Sequence, residues 1–343
     1  MNCILESEFE SILKNIDVDI LRNKSLLITG ANGLVGSYLI DFLTYLNKIL
    51  QTNIIIYAMS RSKSKLEQRF KQTPNLILVE QDLNKPLDFN EYVDYVVHAA
   101  SNAHPLAFSK NPVETMKTNL FGTMNLLELT KKYNGKFLYL SIGEIYGNNK
   151  DKAFTEDDLG VVDTKLARSC YPESKRAAET LCISYYAQYG LKVNIARLCY
   201  VYGATITDDN SRADAQFLRN AVNHDNIIMK SEGLQRRTYC YVADCVSGLL
   251  TILLNGLEGE FYNISNPNSI VSVKEYAQAL ADIANVKLVL DLPTEIEKKG
   301  YSKPADSILD SSKLQSLGWK ALYDIKNGLK NTYKIKTERI IKC

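Results

Sequence analysis

Tyr171 and Lys175 stand four residues apart in the segment Tyr171-Pro172-Glu173-Ser174-Lys175. Proline near the first position starts a helix, and the i,i+4 spacing puts the phenol and the ammonium on one face. An adjacent ammonium stabilises a phenolate and lowers the tyrosine pKa, so the phenol becomes a general base usable near neutrality. Alone, the spacing is common by chance and fits equally well an exposed pair at a helix start. A second segment, Leu26 to Gly36, reads strand, turn, helix, with Gly30, Gly33 and Gly36 in the pattern G-x-x-G-x-x-G. Such a turn lets backbone N–H groups approach a pyrophosphate, and the helix N-terminus adds partial positive charge. A plain tight turn is the alternative; its place after the first strand of an alternating chain favours a dinucleotide.

The second strand ends Ala58-Met59-Ser60-Arg61-Ser62-Lys63-Ser64-Lys65, without an acid. An acid there would bond the adenosine ribose hydroxyls of NAD, whereas an arginine accommodates the 2′-phosphate of NADP. Ser60 and Arg61 turn the expectation modestly toward NADP, with NAD as the other choice. Asp82, just after the third strand, suits the adenine amino group and equally suits a cap on the following turn.

These residues need a scaffold, and hydrophobic periodicity supplies one. Leu5, Phe9, Ile12, Leu13, Ile16 and Ile20 predict a helix over 5–22. Strands are expected at Ser25–Thr29, Asn53–Met59, Asn75–Glu80, Tyr95–Ala99, Lys136–Ser141 and Lys192–Arg197. Helices are expected at Leu34–Leu46, Lys63–Phe70, Val113–Tyr133 and Pro172–Gln188. Apolar runs such as Ile54-Ile55-Ile56 between helices mark a parallel sheet covered on both faces. The expected fold is an α/β, Rossmann-type doubly wound sheet over 1–203, with 237–264 returning to it. Residues 204–235 read as polar and irregular. A smaller, partly discontinuous substrate domain is placed over 204–236 and 265–343.

Composition removes other classes. The 343 residues carry 41 Lys+Arg against 39 Asp+Glu, a net charge of +2 that gives no reason to expect nucleic acid or an anionic membrane. Glu6, Glu8 and Glu10 stand where a secretory signal would be basic, and no stretch spans a bilayer. Seven scattered cysteines without a C-x-x-C pair, and only three histidines, point to reduced cytosolic thiols and no metal cage. The expected location is therefore the cytoplasm. His98 reads as packed beneath the dinucleotide, and His104 as a loop residue near the cleft.

With Tyr171–Lys175 and the glycine turn in the right order, the chain resembles the extended short-chain dehydrogenase/reductase family, in particular its nucleotide-sugar epimerases, dehydratases and decarboxylases. The resemblance runs from Lys24 to Trp319. It passes through His98-Ala99-Ala100-Ser101, Asn119-Leu120-Phe121-Gly122-Thr123, Ser141–Gly147, Arg197–Gly203 and Arg237–Asp244. The block Arg168–Arg176 looks most like the UDP-glucuronate decarboxylase branch. The resemblance implies that Tyr171 takes a proton from the sugar 4-hydroxyl while hydride passes to the nicotinamide, and that Lys175 bonds the nicotinamide ribose. It implies cofactor contacts at Asn32, Leu34 and Val35 in the glycine turn, at Leu83 beside Asp82, and at Ala99, Ala100, Ser101 and Asn119. Arg237 matches the arginine that holds the substrate diphosphate. Asp244 reads as structural. By the same resemblance the helices at 113–133 and 172–188 pair two copies into a homodimer.

Three departures stand out. Ile142 occupies the position where the family places a Ser or Thr hydroxyl that orients the sugar 4-oxygen. Ser141 is adjacent and is the candidate catalytic hydroxyl in its place; a regular strand points it to the opposite side, and a bend would bring it in. Gly143-Glu144 replaces the Asp-Glu pair of 4,6-dehydratases, which keeps a possible C5 base in Glu144 and loses the acid that expels water. Tyr200 replaces the usual Asn at a substrate-contact position. The expected function is modification of a nucleotide-diphosphate sugar through oxidation at C4, with epimerisation first. A keto-sugar reductase using NADPH, a decarboxylase or dehydratase, and a non-catalytic dinucleotide-sensing scaffold are the alternatives.

Overall fold

The computed structural model describes residues 2–101, 103, 105–147, 153–291 and 305–341. The chain opens with α1 (Cys3–Leu13), β1 (Ser25–Thr29), α2 (Leu34–Leu50), β2 (Ile55–Ser60), α3 (Lys63–Arg69), β3 (Leu76–Glu80) and β4 (Tyr95–His98). Next come α4 (Pro105–Lys110), α5 (Pro112–Tyr133), β5 (Lys136–Ile142), α6 (Cys170–Tyr189), β6 (Lys192–Leu198) and β7 (Tyr200–Tyr202). The remainder holds α7 (Ala213–Val222), β8 (Ile227–Met229), β9 (Arg236–Tyr241), α8 (Val242–Asn255), β10 (Phe261–Ile264), β11 (Ile270–Ser272), α9 (Val273–Ala284), β12 (Leu288–Leu290), α10 (Ser312–Gln315) and α11 (Ile325–Ile341).

Seven strands form one sheet in the order β10-β6-β5-β4-β1-β2-β3, and every pairing in it is parallel. β1 is buried along its whole length, as a central parallel strand must be. Alternate residues feed two apolar layers. Leu138 and Leu140 of β5 face the layer containing α1, α2 and α8, and Phe137 and Tyr139 face the layer containing α5 and α6. Strand order reverses between β1 and β4, and that is where an open α/β sheet leaves a crevice beyond its carboxyl ends.

Local chemistry sets the ends of the helices around this crevice. Gly33 is the N-cap of α2, and Gln51 ends it in the left-handed region at φ 50°. Pro112 opens α5, and Asn134 closes it at φ 52°. Gly190 stops α6 at φ 65°. β10 joins the main sheet beside β6, whereas β7, β9 and β11 form a separate three-stranded sheet and β8 and β12 a two-stranded one. No described helix is long and apolar enough to cross a membrane.

Two expectations about elements need correction. The helix expected over 5–22 ends at Leu13 and resumes only as a 3-10 turn at Asp19–Leu21, because Lys14, Asn15 and Asp17 break the apolar face. The irregular stretch at 204–235 contains α7, whose Ala215, Phe217, Leu218 and Ala221 are buried. Its polar, acidic first turn hides that apolar face from a periodicity reading.

Candidate active site

Gly30 sits at φ +66°, and a Cβ there would stand 2.7 Å from the Ala99 carbonyl carbon. A Cβ on Gly36 would stand 2.5 Å from the Gly30 oxygen. The turn after β1 is thus pressed against the turn after β4, and only glycine permits the approach. From this cradle two cavities open. One is lined by Asn32, Ser60, Arg61, Lys65, Asp82, Leu83 and Ala100. The other is lined by Leu34, Val35, Ser141, Ile142, Glu144, Tyr171, Lys175 and Tyr200. Gly30, Gly33, Ala99 and Ser101 belong to both, so one crevice runs from Arg61 to Tyr171. That shape, a bare backbone turn at a helix start in its middle, fits an extended dinucleotide.

At the adenosine end, Ser60 Oγ donates to Asn32 Oδ1 at 3.1 Å. Asp82 lines the cavity and also caps its own turn, accepting from the Asn84 N–H at 3.0 Å. Asn119, expected as a cofactor contact, is fully buried in α5 and lines neither cavity. It acts one shell back: its Oδ1 accepts from Ser101 Oγ at 2.7 Å, and its Nδ2 donates to Ser174 Oγ at 2.8 Å.

Tyr171 and Lys175 do share one face of α6, and both are buried. Their electrostatics differ from the expectation. Burial pushes the Tyr171 phenol above its ordinary range, and Glu144 adds to the rise, while Arg212 and a hydrogen bond with Ser101 pull the other way. Burial brings Lys175 down to about 7. Its Nζ donates to the Leu140 carbonyl at 2.7 Å and lies 4.7 Å from the centre of the Tyr139 ring. The ammonium is therefore engaged with the β5 backbone and does not lower the phenol. His98 packs under the crevice as expected: its Nδ1 is 2.8 Å from Thr29 Oγ1, and burial, then Lys175, holds its pKa well below the usual histidine range. His104 lies outside the described residues.

β5 stays regular to its end, with Ser141 opposite Arg197 and Ile142 opposite Leu198. Ile142 packs against Cys170 and Tyr171. The Ser141 hydroxyl is wholly buried, with no hydrogen-bond partner among the described residues. Strand alternation separates the Ser141 and Ile142 side chains, yet both residues line the cavity that holds Tyr171 and Lys175. Glu144 sits in a 3-10 turn at Gly143–Tyr146, lines the cavity, and accepts from Arg168 Nη2 at 3.1 Å.

Arg237 lines neither cavity directly. Its guanidinium lies 4.2 Å from the centre of the Tyr200 ring, and its Nε is buried without a partner among the described residues. Tyr200 thus stands between Arg237 and the cavity. Sequence reasoning missed Arg212, which stands at the start of α7, pairs with Asp214, donates to the Val201 carbonyl at 2.8 Å, and lines the cavity near Tyr171. Thr207, Asn210 and Ser307 line the same wall.

Residues 26–265 match the model of the NAD dependent epimerase/dehydratase family, and the chain belongs to that family. UDP-glucuronic acid decarboxylase 6 of Arabidopsis thaliana is 34% identical over 315 residues, covering 90% of this chain and 87% of that one. UDP-glucuronic acid decarboxylase 1 of Danio rerio is 30% identical over 309 residues, covering 90% and 72%. Among solved structures, an epimerase from Methanothermobacter thermautotrophicus superposes with TM-score 0.82 at 20% identity, covering 99% of this chain and 97% of its own. UDP-glucose 4-epimerase from Thermotoga maritima, solved with UDP-glucose, gives 0.78 at 23%, covering 92% and 99%. The chain is an enzyme of this NAD-dependent nucleotide-sugar family.

Proposed function

We propose that the chain removes carbon dioxide from a uridine-diphosphate-linked uronic acid through transient oxidation at C4. The observation that carries this reading is Tyr171, buried at the end of the crevice in the cavity that Glu144 and Arg212 also line. Tyr171 takes the proton of the C4 hydroxyl. When bound, the nicotinamide supplies the acceptor, and later the donor, of the C4 hydride. A ketone at C4 makes the C6 carboxylate a β-keto acid. The C5–C6 bond then breaks, its electron pair moves to the C4 oxygen, and C5 takes a proton as carbon dioxide leaves. No acid is needed at Gly143 for this step, unlike loss of water. Arg212 on the cavity wall supplies cationic character suited to a carboxylated sugar. The relatives named above, similar along nine-tenths of this chain, are uronate decarboxylases.

Epimerisation, the first expectation from the sequence, is the second reading. It uses the same oxidation and turns the sugar before hydride returns. The Arg168–Glu144 ion pair favours it, because that pair occupies the carboxyl group that would otherwise exchange a proton at C5.

Several finer points complete the proposal. Ser60, Arg61, Ser62 and Lys65 around the adenosine cavity support NADP over NAD. The sheet portion holds the cofactor, and segments 204–236 and 265–343 the sugar nucleotide. Arg237, set in place by the Tyr200 ring, serves the diphosphate. Val113, Met116, Phe121 and Met124 of α5, with Tyr186 and Tyr189 of α6, are exposed and suit a two-fold contact between copies. The six described cysteines are free thiols, which suits a reducing, cytoplasmic setting.

The test is incubation of purified protein with UDP-glucuronate and either nicotinamide cofactor, followed by mass spectrometry and proton NMR. Loss of carbon dioxide with only catalytic cofactor supports decarboxylation. An isomer of unchanged mass supports epimerisation, and stoichiometric cofactor use overturns both. Tyr171→Phe should abolish conversion; turnover like wild type in that variant would sink the role of the phenol.

A further inference from the structure

β2 ends without an acid, yet an acid reaches the adenosine cavity from far along the chain. Lys65 of α3 lines that cavity beside Ser60, Arg61 and Ser62, and its Nζ lies 3.3 Å from Asp209 Oδ2. Asp209 stands 144 residues further on, in the segment between β7 and α7. Both side chains are mostly exposed, at 59% and 68%, so the pair alone is weak. The backbone that carries Asp209 is not loose, however. Ala204, Thr205 and Ile206 are buried, and the Thr205 hydroxyl donates to the carbonyl of Leu34, the first residue of α2, at 2.7 Å. Lys336 of α11 donates to the Ile206 carbonyl and to Asp208 Oδ1, each at 3.1 Å. Arg219 of α7 donates to the Asp208 carbonyl at 3.2 Å and the Asn210 carbonyl at 2.8 Å. A carboxylate on a segment fastened at 205, 206, 208 and 210 loses little further entropy on meeting Lys65.

We infer that Asp209 is a specificity-determining residue for the cofactor, acting through Lys65 against a phosphate on the adenosine 2′-oxygen. NAD and NADP differ by that phosphate alone. A 2′-phosphate calls for nearby cations, and Lys65 can serve it only by turning from Asp209. The carboxylate stays where its backbone holds it, loses its counter-charge, and repels the incoming anion. A free 2′-hydroxyl demands no such exchange, so NAD binds with the Lys65–Asp209 pair intact. Asp82, the acid on the cavity wall itself, accepts from the N–H of Asn84 in its own turn. Lys65 is thus already paired, and the preference of the basic loop after β2 for NADP is smaller than its composition suggests.

This inference rests on the cavity beside Arg61 holding the adenosine end of the cofactor, and it is independent of the reaction at Tyr171. Calorimetry on the full chain with adenosine 2′,5′-bisphosphate, AMP, NADP and NAD reads binding without turnover. Wild type is compared with Asp209→Asn, Asp209→Glu, Lys65→Ala, and Lys65→Ala combined with Asp209→Asn, all substitutions at exposed positions. Asp209→Asn should tighten the bisphosphate and NADP roughly three- to fivefold and leave AMP and NAD within about twofold. Asp209→Glu should stay near wild type. Lys65→Ala should weaken both 2′-phosphate ligands, and in that background Asp209→Asn should change them by less than about twofold. An Asp209→Asn variant that binds the 2′-phosphate ligands no better than wild type overturns the inference, as does one that tightens AMP and NAD equally. A gain from Asp209→Asn that persists undiminished without Lys65 overturns it too. Failure of wild type to bind any of the four would defeat the dinucleotide reading of the crevice and this inference with it. Tighter binding of NAD than NADP by wild type would instead defeat the assignment of NADP, with the Asp209 variants still deciding the inference.

Discussion

Gly143 and Leu309 compete for one volume: a Cβ on Gly143 would stand 2.8 Å from Leu309 Cδ1 and 3.2 Å from Cδ2. Leu309 is 3% exposed and has little room to retreat, since its N–H donates to Thr238 Oγ1 at 3.1 Å and its carbonyl accepts from Ser265 Oγ at 2.7 Å. The position where the family's dehydratases place an acid is therefore filled by a leucine from a segment more than a hundred and sixty residues away. Any side chain at position 143 would have to displace the end of Leu309.

Gly143→Ala is accordingly expected to destabilise the protein by about 1–3 kcal/mol through overpacking. Leu309→Ala alone should cost about 2–5 kcal/mol as a cavity. In the double variant the added methyl enters that cavity, so the combined loss should fall short of the sum by about 1 kcal/mol or more. Urea unfolding of the four proteins measures the coupling, and strict additivity would show that the two side chains do not share the space.

Lys175 makes stability depend on pH. Its pKa falls to about 7 in the folded protein against 10.5 for an ordinary lysine, so between those values the unfolded chain holds a proton that the folded chain lacks. Stability contributed by this site therefore rises with pH, by up to about 1.4 kcal/mol per unit, and is lost as pH falls toward 7. Lys175→Met should be most favourable relative to wild type near pH 7, with the difference shrinking toward pH 10 (about one proton's linkage per unit). Denaturation midpoints measured without cofactor test this, and a pH-independent difference would contradict the buried, readily neutralised amine.

Glu179 of α6 and Arg197 of β6 form a buried pair, with side chains 6% and 9% exposed. Two contacts join them, Nε to Oε1 at 3.1 Å and Nη2 to Oε2 at 2.9 Å, and Arg197 Nη1 also reaches the Tyr146 hydroxyl at 3.0 Å. The pair fastens the helix bearing Tyr171 to the sheet. Glu179→Ala leaves a buried guanidinium without its counter-charge and should cost about 3–5 kcal/mol. Replacing both by leucine or methionine should cost much less. A loss below about 1 kcal/mol for Glu179→Ala would show that water or another carboxylate reaches Arg197.

What the sequence discloses follows from how local each feature is. The glycine turn and the Tyr171–Lys175 pair are legible because turn and helix geometry act within a few residues. The tuning of Tyr171 is not, because Lys175 bonds Leu140, whose position depends on β5 lying beside α6. Arg212 escapes notice for a similar reason: its place beside Tyr171 depends on a helix start within a polar stretch and on Asp214 two residues later. Asn119 is read from its motif as a cofactor contact, yet α5 buries it behind Ser101. The irregular look of 204–235 conceals α7 because its polar, acidic first turn masks a short buried face of Ala215, Phe217, Leu218 and Ala221.

Glu8 of α1 accepts from Tyr38 of α2 and Tyr241 of β9, each at 2.7 Å, and from Asn331 of α11 at 2.8 Å. Burial raises its pKa, and those three donors oppose the rise. During synthesis Glu8 emerges 323 residues before Asn331, so for most of translation the carboxylate lacks a partner that it will have in the finished protein. A nascent chain stalled short of α11 should therefore hold α1 by Tyr38, Tyr241 and the Phe9 packing alone, and protease should cut it there faster than in the finished protein.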